Sequence, residues 1–397
     1  MSEPKQAEVI SLGCRLNIAE SETILSLLSE ESDIVVVNSC AVTSEAVRHT
    51  RQAIRKARRQ RPDARLLVTG CAADIEREQL AAMPEVDGLI PNTAKLDARA
   101  WNVPVPDKAP RPPATSHTRA FVAVQNGCDH ACTFCVIPQG RGRSRSLTVP
   151  RVLAEVEQHL AQGAPEIVLT GVDVTSWGRD LPDTPSLGSL VRAILDYFPQ
   201  LQRLRMSSLD GVEIDDELFE LFAGEPRMMP HIHLSLQHGH DLILKRMKRR
   251  HTRSDAVRLV EGLRARRPNL AVGADLIAGF PTEDAAMHEA NLSIIGELDI
   301  VHGHIFPYSP RPGTPAARMP QVDKATIKAR AAQLRQEVAR VRNRWLQRQL
   351  GQNLSVLAEM DGTGYAENFA RVKVPDGTRA GMILPTQPTQ LDRGLLQ

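Results

Sequence analysis

Residues 33–71 read DIVVVNSCAVTSEAVRHTRQAIRKARRQRPDARLLVTGC. Two apolar runs, DIVVVNS and RLLVTG, flank a helical stretch from Ser44 to Gln60, which is the pattern of a strand, a crossover helix and a parallel strand. The same rhythm begins earlier, with EVISLG and a helical segment, and continues afterwards to DGLIP. This alternation predicts an α/β amino-terminal domain, residues 1–104, built on a parallel sheet.

Three cysteines follow the predicted strands of this domain. Cys14, Cys40 and Cys71 each come zero to three residues after an apolar run. Because the carboxyl ends of parallel strands meet at one edge of a sheet, the three thiols are expected to converge there. A buried, weakly polar thiol is the alternative for any one of them.

Composition limits the class of protein. The chain has 397 residues, of which 42% are hydrophobic and 24% charged, which predicts two or three globular domains. No apolar run is long enough for a membrane span, and the first residues lack the pattern of a secretory signal, so we expect a cytosolic protein without a membrane partner. In that reducing compartment, six cysteines favour metal ligation or catalysis over disulfides.

The formal charge of +2 hides three strongly basic segments. Residues 47–65 hold eight Lys or Arg against one acid, residues 245–267 hold ten against two, and residues 328–348 are again rich in arginine. Together they indicate a polyanionic partner, most naturally a nucleic acid, although any one segment is also compatible with an ordinary solvated surface.

A second alternation of strands and helices follows a proline-rich linker over residues 102–119. Its strand candidates are FVAVQN, EIVLTG, RLRMSS, HIHLSLQ, LAVGADLIAGF and DIVHGHIFPY. Six such units predict a partial (β/α)6 barrel within residues 117–340, with its active site at the carboxyl ends of the strands.

The carboxy-terminal segment changes character. A long basic helix is predicted from about Asp323 to Leu350, and the short runs NLSVLAEMD, AENFARVKV and AGMILPTQ then alternate with turn residues. This pattern predicts a small β-barrel within residues 345–397.

The most specific motif is NGCDHACTFCVIP, residues 126–138, which places Cys128, Cys132 and Cys135 in a CxxxCxxC arrangement. Iron-sulfur clusters usually have four cysteine ligands, so three leave one iron open to a small molecule. Structural zinc is the alternative, but the spacing of these thiols and His130 fits no common zinc pattern.

This loop resembles the radical S-adenosylmethionine (SAM) superfamily. The resemblance implies a 4Fe-4S cluster on Cys128, Cys132 and Cys135, with SAM on its open iron. It also implies SAM contacts from residues at matching positions of the loop and of later strand ends: Phe134, Gly171, Asp173, Ser207 and Ser208.

The rest of the chain resembles the methylthiotransferases within that superfamily. The resemblance rests on GCRLN, VVVNSCAVT, LLVTGCAAD, LQHGHDLILKRMKRRHT, DLIAGFPTE and FPYSPRPGTPA. It implies a second 4Fe-4S cluster on Cys14, Cys40 and Cys71, and it gives the terminal β segment the features of a TRAM RNA-binding domain. The first motifs are closest to the branch that acts on threonylcarbamoyladenosine.

The resemblance implies that the chain adds a methylthio group to C2 of N6-threonylcarbamoyladenosine at tRNA position 37. The implied steps are hydrogen abstraction from C2 by a deoxyadenosyl radical and sulfur delivery from the amino-terminal cluster, with a second SAM supplying the methyl group. The implied partners are the tRNA anticodon stem-loop and an electron donor such as a flavodoxin or ferredoxin. Alternatives are N6-isopentenyladenosine in tRNA, an aspartate of a ribosomal protein, and a metal-bearing RNA-binding protein without enzymatic activity.

Three local features carry expectations of their own. Arg141, Arg143 and Arg145, after the cysteine loop, are expected to meet a phosphate or the SAM carboxylate, with a solvated turn as the alternative. The short stretch between Cys14 and Cys40 suggests a reduced amino-terminal sheet. The histidines of HGH, residues 238–240, replace the small polar residues usual in the family and are expected at the rim of the site.

Overall fold

A computed structural model describes residues 5–105 and 118–397. Its amino-terminal strands are β1 (Glu8–Ser11), β2 (Ile34–Ser39), β3 (Arg65–Gly70) and β4 (Gly88–Leu89). Its amino-terminal helices are α1 (Arg15–Leu27), α2 (Ser44–Gln60), α3 (Cys71–Ile75) and α4 (Arg77–Ala81). The strands pair in the order β1-β2-β3-β4, all parallel, so the predicted α/β architecture is confirmed with four strands.

The residues of this domain explain its layers. Every residue of β2 is buried, as expected for a central parallel strand that has helices on both faces. Helix α2 begins where the Thr43 side chain accepts a hydrogen bond from the Ala46 N–H. Val47, Ile54 and Ala57 of α2 are buried against the sheet, which leaves most of its arginines on the solvent side.

The central part contains the six predicted strands and additional short ones. Its strands are β5 (Arg119–Ala123), β6 (Gln125–Asn126), β7 (Arg145–Ser146), β8 (Glu166–Thr170), β9 (Arg203–Met206), β10 (Ser208–Leu209), β11 (His231–Gln237), β12 (Ala271–Ala278) and β13 (Ile300–Pro307). Its helices are α5 (Ile137–Arg141), α6 (Val149–Ala161), α7 (Leu187–Tyr197), α8 (Asp216–Gly224), α9 (Asp241–Arg246), α10 (Arg253–Arg266) and α11 (Ala285–Glu297). Short 3-10 helices span Ala98–Trp101, Val174–Ser176, Gly211–Glu213 and Pro315–Arg318.

The long central strands are parallel and form two adjoining sheets. The first has the order β5-β8-β9 and the second the order β10-β11-β12-β13, whereas β6 and β7 form a separate antiparallel pair. One continuous apolar core joins these strands to their helices and to the carboxy-terminal sheet. The alternation of strand and helix predicted from the sequence is therefore present throughout.

The carboxy-terminal part begins with the predicted basic helix, α12 (Lys324–Arg348), whose first turn is capped by the Asp323 side chain. Its strands are β14 (Leu354–Ala358), β15 (Thr363–Ala366), β16 (Arg371–Lys373), β17 (Ile383–Thr386), β18 (Leu391–Asp392) and β19 (Leu395–Leu396). They form one mainly antiparallel sheet in the order β17-β14-β15-β16-β19-β18.

Phe369, in the turn between β15 and β16, shows how the central strands curve. Its ring lies 5.2 Å from the Arg119 guanidinium carbon, 4.6 Å from that of Arg205, and 5.1 Å and 5.7 Å from the His231 and His302 rings. These four residues come from β5, β9, β11 and β13, so the strands enclose a shared interior, which we call the lumen. Phe369 closes the end of the lumen where these strands begin.

The predicted linker falls largely on residues 106–117, outside the described residues. The domain ranges 1–104, 117–340 and 345–397 remain predictions. The first and the last range each contain one of the described sheets, and the central range contains three. Among the described helices, none is both long and apolar enough to cross a membrane.

Candidate active site between two cysteine triads

The first cysteine triad lies at the carboxyl edge of the amino-terminal sheet. Cys14 precedes the first turn of α1, Cys40 directly follows β2, and Cys71 follows β3 as the first residue of α3. A β-carbon on Gly13 would lie 2.9 Å from the Cys40 Sγ atom, so glycine, here with a φ of +98°, allows the Cys14 turn to pass close to Cys40. The structure thus brings these sequence-distant thiols to one edge, as the strand pattern predicted.

The second triad lies in the loop between β6 and α5. The loop is fixed by backbone donors: the His130 N–H and the Ile137 N–H each lie 3.4 Å from a sulfur, of Cys128 and Cys135 respectively. The Arg249 guanidinium points at the third sulfur, with Nη1 3.6 Å from the Cys132 Sγ. All six cysteines of the chain are free thiols, so disulfides do not compete for them.

The two triads face each other across the contact between the first two domains. A β-carbon on Gly140, in α5, would lie 3.3 Å from both Cα and Cβ of Cys71. The Asn92 amide bridges the same contact, with Nδ2 2.5 Å from the Gly140 carbonyl oxygen and 3.9 Å from the Cys71 Sγ. Two sets of three thiols therefore flank one interface.

Burial governs the protonation of these thiols. It raises the pKa of Cys128 and Cys135 to about 12 and that of Cys40 to about 11, and it also raises the pKa of Cys71. Because a thiolate is the form that binds iron, metal loading at these positions must release protons. Clustered, protonated thiols that lack a shared disulfide suit a cluster site that assembles around iron.

A buried ion-pair network holds the two triads together. The Glu20 carboxylate of α1 accepts hydrogen bonds from Arg141 Nη1 at 2.8 Å and from Lys95 Nζ at 2.5 Å. All three side chains are almost fully buried. The expectation that Arg141 meets a phosphate or the SAM carboxylate is therefore wrong, because Glu20 pairs with it inside the domain contact. Arg143 and Arg145 are exposed, as the alternative of a solvated turn requires.

Two of the residues predicted to contact SAM, Phe134 and Gly171, lie in or near the cysteine loop. Phe134 is partly buried and meets the edge of Phe280, with ring centroids 6.4 Å apart. Gly171 follows β8, and a β-carbon there would lie 2.8 Å from the Gln125 carbonyl oxygen. Phe134 therefore lies within the cysteine loop itself, and Gly171 lies at the end of β8, beside the strand β6 that leads into the loop.

Asp173 lies beside the second triad. Its Oδ2 atom is 3.8 Å from the Cys128 Sγ, 2.7 Å from the His130 Nε2 and 2.7 Å from the Ser176 Oγ. The Asp173 and Glu213 carboxylates raise the pKa of His130 to about 9. The His130 side chain thus braces the loop that carries the cysteines.

Ser207 and Ser208 mark the end of β9 and the start of β10. The Ser207 Oγ is buried and has no hydrogen-bond partner among the described residues, whereas Ser208 is partly exposed. A buried hydroxyl without a partner costs free energy, so it fits a site that a polar ligand completes. The residues present are therefore compatible with bound SAM.

The lumen below these residues is polar, which the sequence analysis missed. Asp275 of β12 accepts hydrogen bonds from His233 Nε2 at 3.0 Å and from His304 Nδ1 at 3.1 Å. Arg205 of β9 pairs with Glu166 of β8 at 2.7 Å. The sequence did carry a signal for this lining: in β9, β11 and β13 charged residues and histidines stand at every second position, and such residues share one face of a strand.

The histidines of HGH lie elsewhere than predicted. His238 is completely buried, with its Nε2 atom 3.2 Å from the Glu283 carboxylate. The His240 Nδ1 atom accepts a hydrogen bond from the Leu242 N–H and caps α9. The prediction of a position at the rim is wrong for His238, because Glu283, in a later turn, pairs with it in the interior.

Comparison with known proteins supplies the family. Residues 122–292 match the Radical SAM superfamily and residues 6–91 match Uncharacterized protein family UPF0004. The threonylcarbamoyladenosine tRNA methylthiotransferase MtaB of Rickettsia prowazekii (strain Madrid E) is 43% identical over 98% of this chain and 96% of its own length. The chain belongs to the radical SAM methylthiotransferase family.

Other relatives agree with this membership. A tRNA-2-methylthio-N(6)-dimethylallyladenosine synthase of Cereibacter sphaeroides (strain ATCC 17023) is 32% identical over 96% of this chain and 95% of its own length. The radical SAM methyltransferase TsrM of Kitasatospora setae, solved with cobalamin and a 4Fe-4S cluster, shares the fold, with a TM-score of 0.56, 17% identity and coverage of 80% of this chain and 77% of that chain. As a radical SAM methylthiotransferase, this enzyme has two 4Fe-4S clusters and SAM as its cofactors.

Proposed function

We propose that this enzyme adds a methylthio group to C2 of N6-threonylcarbamoyladenosine at tRNA position 37. The observation that carries the proposal is the packing of Gly140, in the helix that follows the second triad, on Cys71 of the first triad, supported by full-length similarity to the Rickettsia relative. Sulfur insertion into an unactivated C–H position needs a radical source and a sulfur source close to one substrate atom, and two facing triads meet that need.

In this proposal each triad holds one cluster. Cys128, Cys132 and Cys135 hold the cluster that binds SAM, and the cluster on Cys14, Cys40 and Cys71 lies next to the substrate. When bound, the cofactors supply one-electron cleavage of SAM, the inserted sulfur and the methyl group.

The residues of the chain orient and shield these groups. Arg249 donates toward the Cys132 sulfur and places a positive charge beside an anionic cluster site. Phe134, Gly171, Asp173, Ser207 and Ser208 form the SAM contacts in this proposal, of which the partnerless Ser207 hydroxyl is the best supported. The buried Glu20–Arg141 pair links α1 to α5 and so helps to fix the position of one site relative to the other.

The polar lumen favours threonylcarbamoyladenosine over the isopentenyl nucleoside. An isopentenyl group is a purely apolar substituent, and it offers no hydrogen bond to a lining that includes Arg205, Asp275 and several histidines. The threonylcarbamoyl group carries a carboxylate, a hydroxyl and amide groups that can satisfy such a lining. The name of the 43% identical relative points to the same nucleoside.

A basic groove is proposed to hold the anticodon stem-loop. A cavity of 520 Å³ separates α2 from residues 310–312, and its lining includes Arg48, Arg51, Arg55, Arg311 and one acid, Glu76. Glu76 pairs with Arg311 and Arg51, so the four arginines leave the groove with a net positive charge. Phosphate contacts from arginines position RNA without reading its sequence. The proposal includes a cytosolic location and a flavodoxin or ferredoxin as the electron donor.

The decisive experiment is anaerobic reconstitution followed by turnover. The purified chain, loaded with iron and sulfide, is incubated with SAM, dithionite and tRNA that carries N6-threonylcarbamoyladenosine, and the nucleosides are analysed by mass spectrometry. The expected product is the 2-methylthio derivative. A product formed only from isopentenyladenosine tRNA, or only on a ribosomal-protein aspartate, would overturn the substrate, and bound zinc without SAM cleavage would overturn the enzyme.

A further inference from the structure

Arg15 follows Cys14 directly and extends into the lumen. Its guanidinium carbon lies 5.9 Å from the centroid of Phe369, the ring that closes the lumen. Arg15, which is next to a proposed ligand of the sulfur-donating cluster, thus lies in the lumen that the central strands enclose.

The Arg15 guanidinium has no anionic partner among the described residues. Two neighbouring arginines are paired, Arg119 with Glu359 at 2.9 Å and Arg205 with Glu166 at 2.7 Å. In contrast, no hydrogen bond or ion pair within residues 5–105 and 118–397 includes the Arg15 side chain. Arg15 is only partly exposed, and an unpaired guanidinium in such surroundings is costly unless a ligand completes it.

The surroundings increase that cost. Arg119 and Arg205 add positive charge beside Arg15, since their guanidinium carbons lie 5.2 Å and 4.6 Å from the same Phe369 ring. Asp275, the acid of the same lumen, is already shared by His233 and His304. The charge balance at this point therefore favours an added anion.

We propose that Arg15 binds the carboxylate on the N6 substituent of the target adenosine and selects that substituent. This inference rests on the proposed function. The geometry of adenine supports it, because N1 alone separates C2 from the carbon that bears N6. A substituent on N6 that folds along N1 lies within a few ångströms of C2, where the sulfur is added. The residue beside the sulfur-donating site is therefore well placed to read the substituent.

Two other anions suit this position less well. In the proposed function the Cys128–Cys135 loop, at the carboxyl ends of the strands, would hold SAM with its carboxylate, whereas Arg15 and Arg119 both lie against the Phe369 ring where the strands begin. RNA phosphates would have to enter the lumen along with the base. The N6 substituent could enter the lumen from the side of His304, since the His304 side chain is 60% exposed.

The test compares two RNAs that differ by one charge. Anticodon stem-loops of identical sequence carry either N6-threonylcarbamoyladenosine or its methyl ester, and their binding to the reconstituted enzyme is measured by fluorescence anisotropy without reductant. A charge-assisted hydrogen bond contributes about 10- to 100-fold in affinity, so the enzyme should bind the acid that much more tightly than the ester. Equal affinity for acid and ester would overturn the proposal without any variant.

Variants of Arg15 test whether this residue causes the preference for the acid over the ester. Arg15→Gln should lose the preference for the acid while keeping its affinity for the ester, and Arg15→Lys should keep part of the preference. Arg192→Gln, a surface arginine on α7 paired with Glu217, is the matched control and should retain the full preference. Iron content and the Michaelis constant for SAM are measured for every variant. Loss of affinity for both RNAs alike, or a raised constant for SAM, would assign Arg15 to a phosphate or to SAM instead.

The two proposals fail in different ways. If the wild-type enzyme does not methylthiolate the acid RNA, the proposed function is wrong. If it does, but Arg15→Gln keeps the preference for the acid over the ester, the function stands and only the role of Arg15 is wrong.

Discussion

Gly140 touches Cys71, so a backbone segment that follows one cysteine triad packs directly on a cysteine of the other. Contact this close leaves no room for a larger side chain, because Ile75 Cδ1 would also lie 3.0 Å from a β-carbon at this position. The absence of a side chain at Gly140 therefore allows this close packing of the two segments.

Replacement of Gly140 by valine should separate sulfur insertion from SAM cleavage. Displacement of the two sites by a fraction of an ångström should lower methylthio product by about 10- to 100-fold. Formation of 5′-deoxyadenosine should persist, because Gly140 lies outside the cysteine loop. Chromatography of both products from one reaction checks this. Gly224→Ala, at a glycine with no atom within 4 Å of the added carbon, is the control. Equal loss of both products would show that the change acts on the cysteine loop itself.

The two triads should be separable by iron analysis. The reconstituted wild-type enzyme should bind about eight iron atoms per chain, and Cys132→Ala and Cys40→Ala should each bind about four. Cys132→Ala should abolish formation of 5′-deoxyadenosine, whereas Cys40→Ala should retain it and lose methylthio product. A fully modified tRNA from Cys40→Ala would contradict the role given to the first triad.

Glu20→Gln should destabilise the contact between the first two domains. Burial alone would raise the pKa of Glu20, but Lys95 and Arg141 overcome it and hold the pKa below its usual value. The variant leaves two buried cations with a neutral partner, which typically costs about 3–5 kcal/mol. Anaerobic thermal unfolding should show a lower Tm than for Glu217→Gln, which breaks a partly exposed pair. An equal Tm for both variants would show that the network adds no stability.

Glu155, on α6, should make stability depend on pH. Burial raises its pKa to about 7, although Arg151 opposes the shift. An unfolded glutamate titrates near pH 4.3, so the folded chain holds this proton more tightly, and stability falls as the pH rises from about 4 to 7. Glu155→Gln should therefore raise Tm more at pH 8.5 than at pH 5.5, by about 1–3 °C. Glu157→Gln, an exposed acid on the same helix, is the control. A gain that is the same at both pH values would contradict this account.

The sequence predicted the elements of the fold and the positions of the thiols because both depend on local pattern. Strand and helix alternate in the order that the apolar runs indicate, and Cys40 and Cys71 follow their strands directly. The side chains that join domains were not predicted, since the pairing of Glu20 with Arg141 spans 121 residues and leaves no periodic trace. The RLRM and HIHLSL segments carried a readable signal, in that charged residues and histidines alternate with apolar ones in buried strands.

The turn that carries Phe369 gives the carboxy-terminal sheet a second structural role. Its backbone has a φ of +71°, an uncommon value for a bulky residue, and the ring is held by stacking on Tyr365 and His231. Loss of this sheet would expose that end of the lumen to water and raise the dielectric constant there. The charge pairs near this end would then weaken. The carboxy-terminal sheet, which is predicted to bind RNA, thus also excludes water from one end of the lumen.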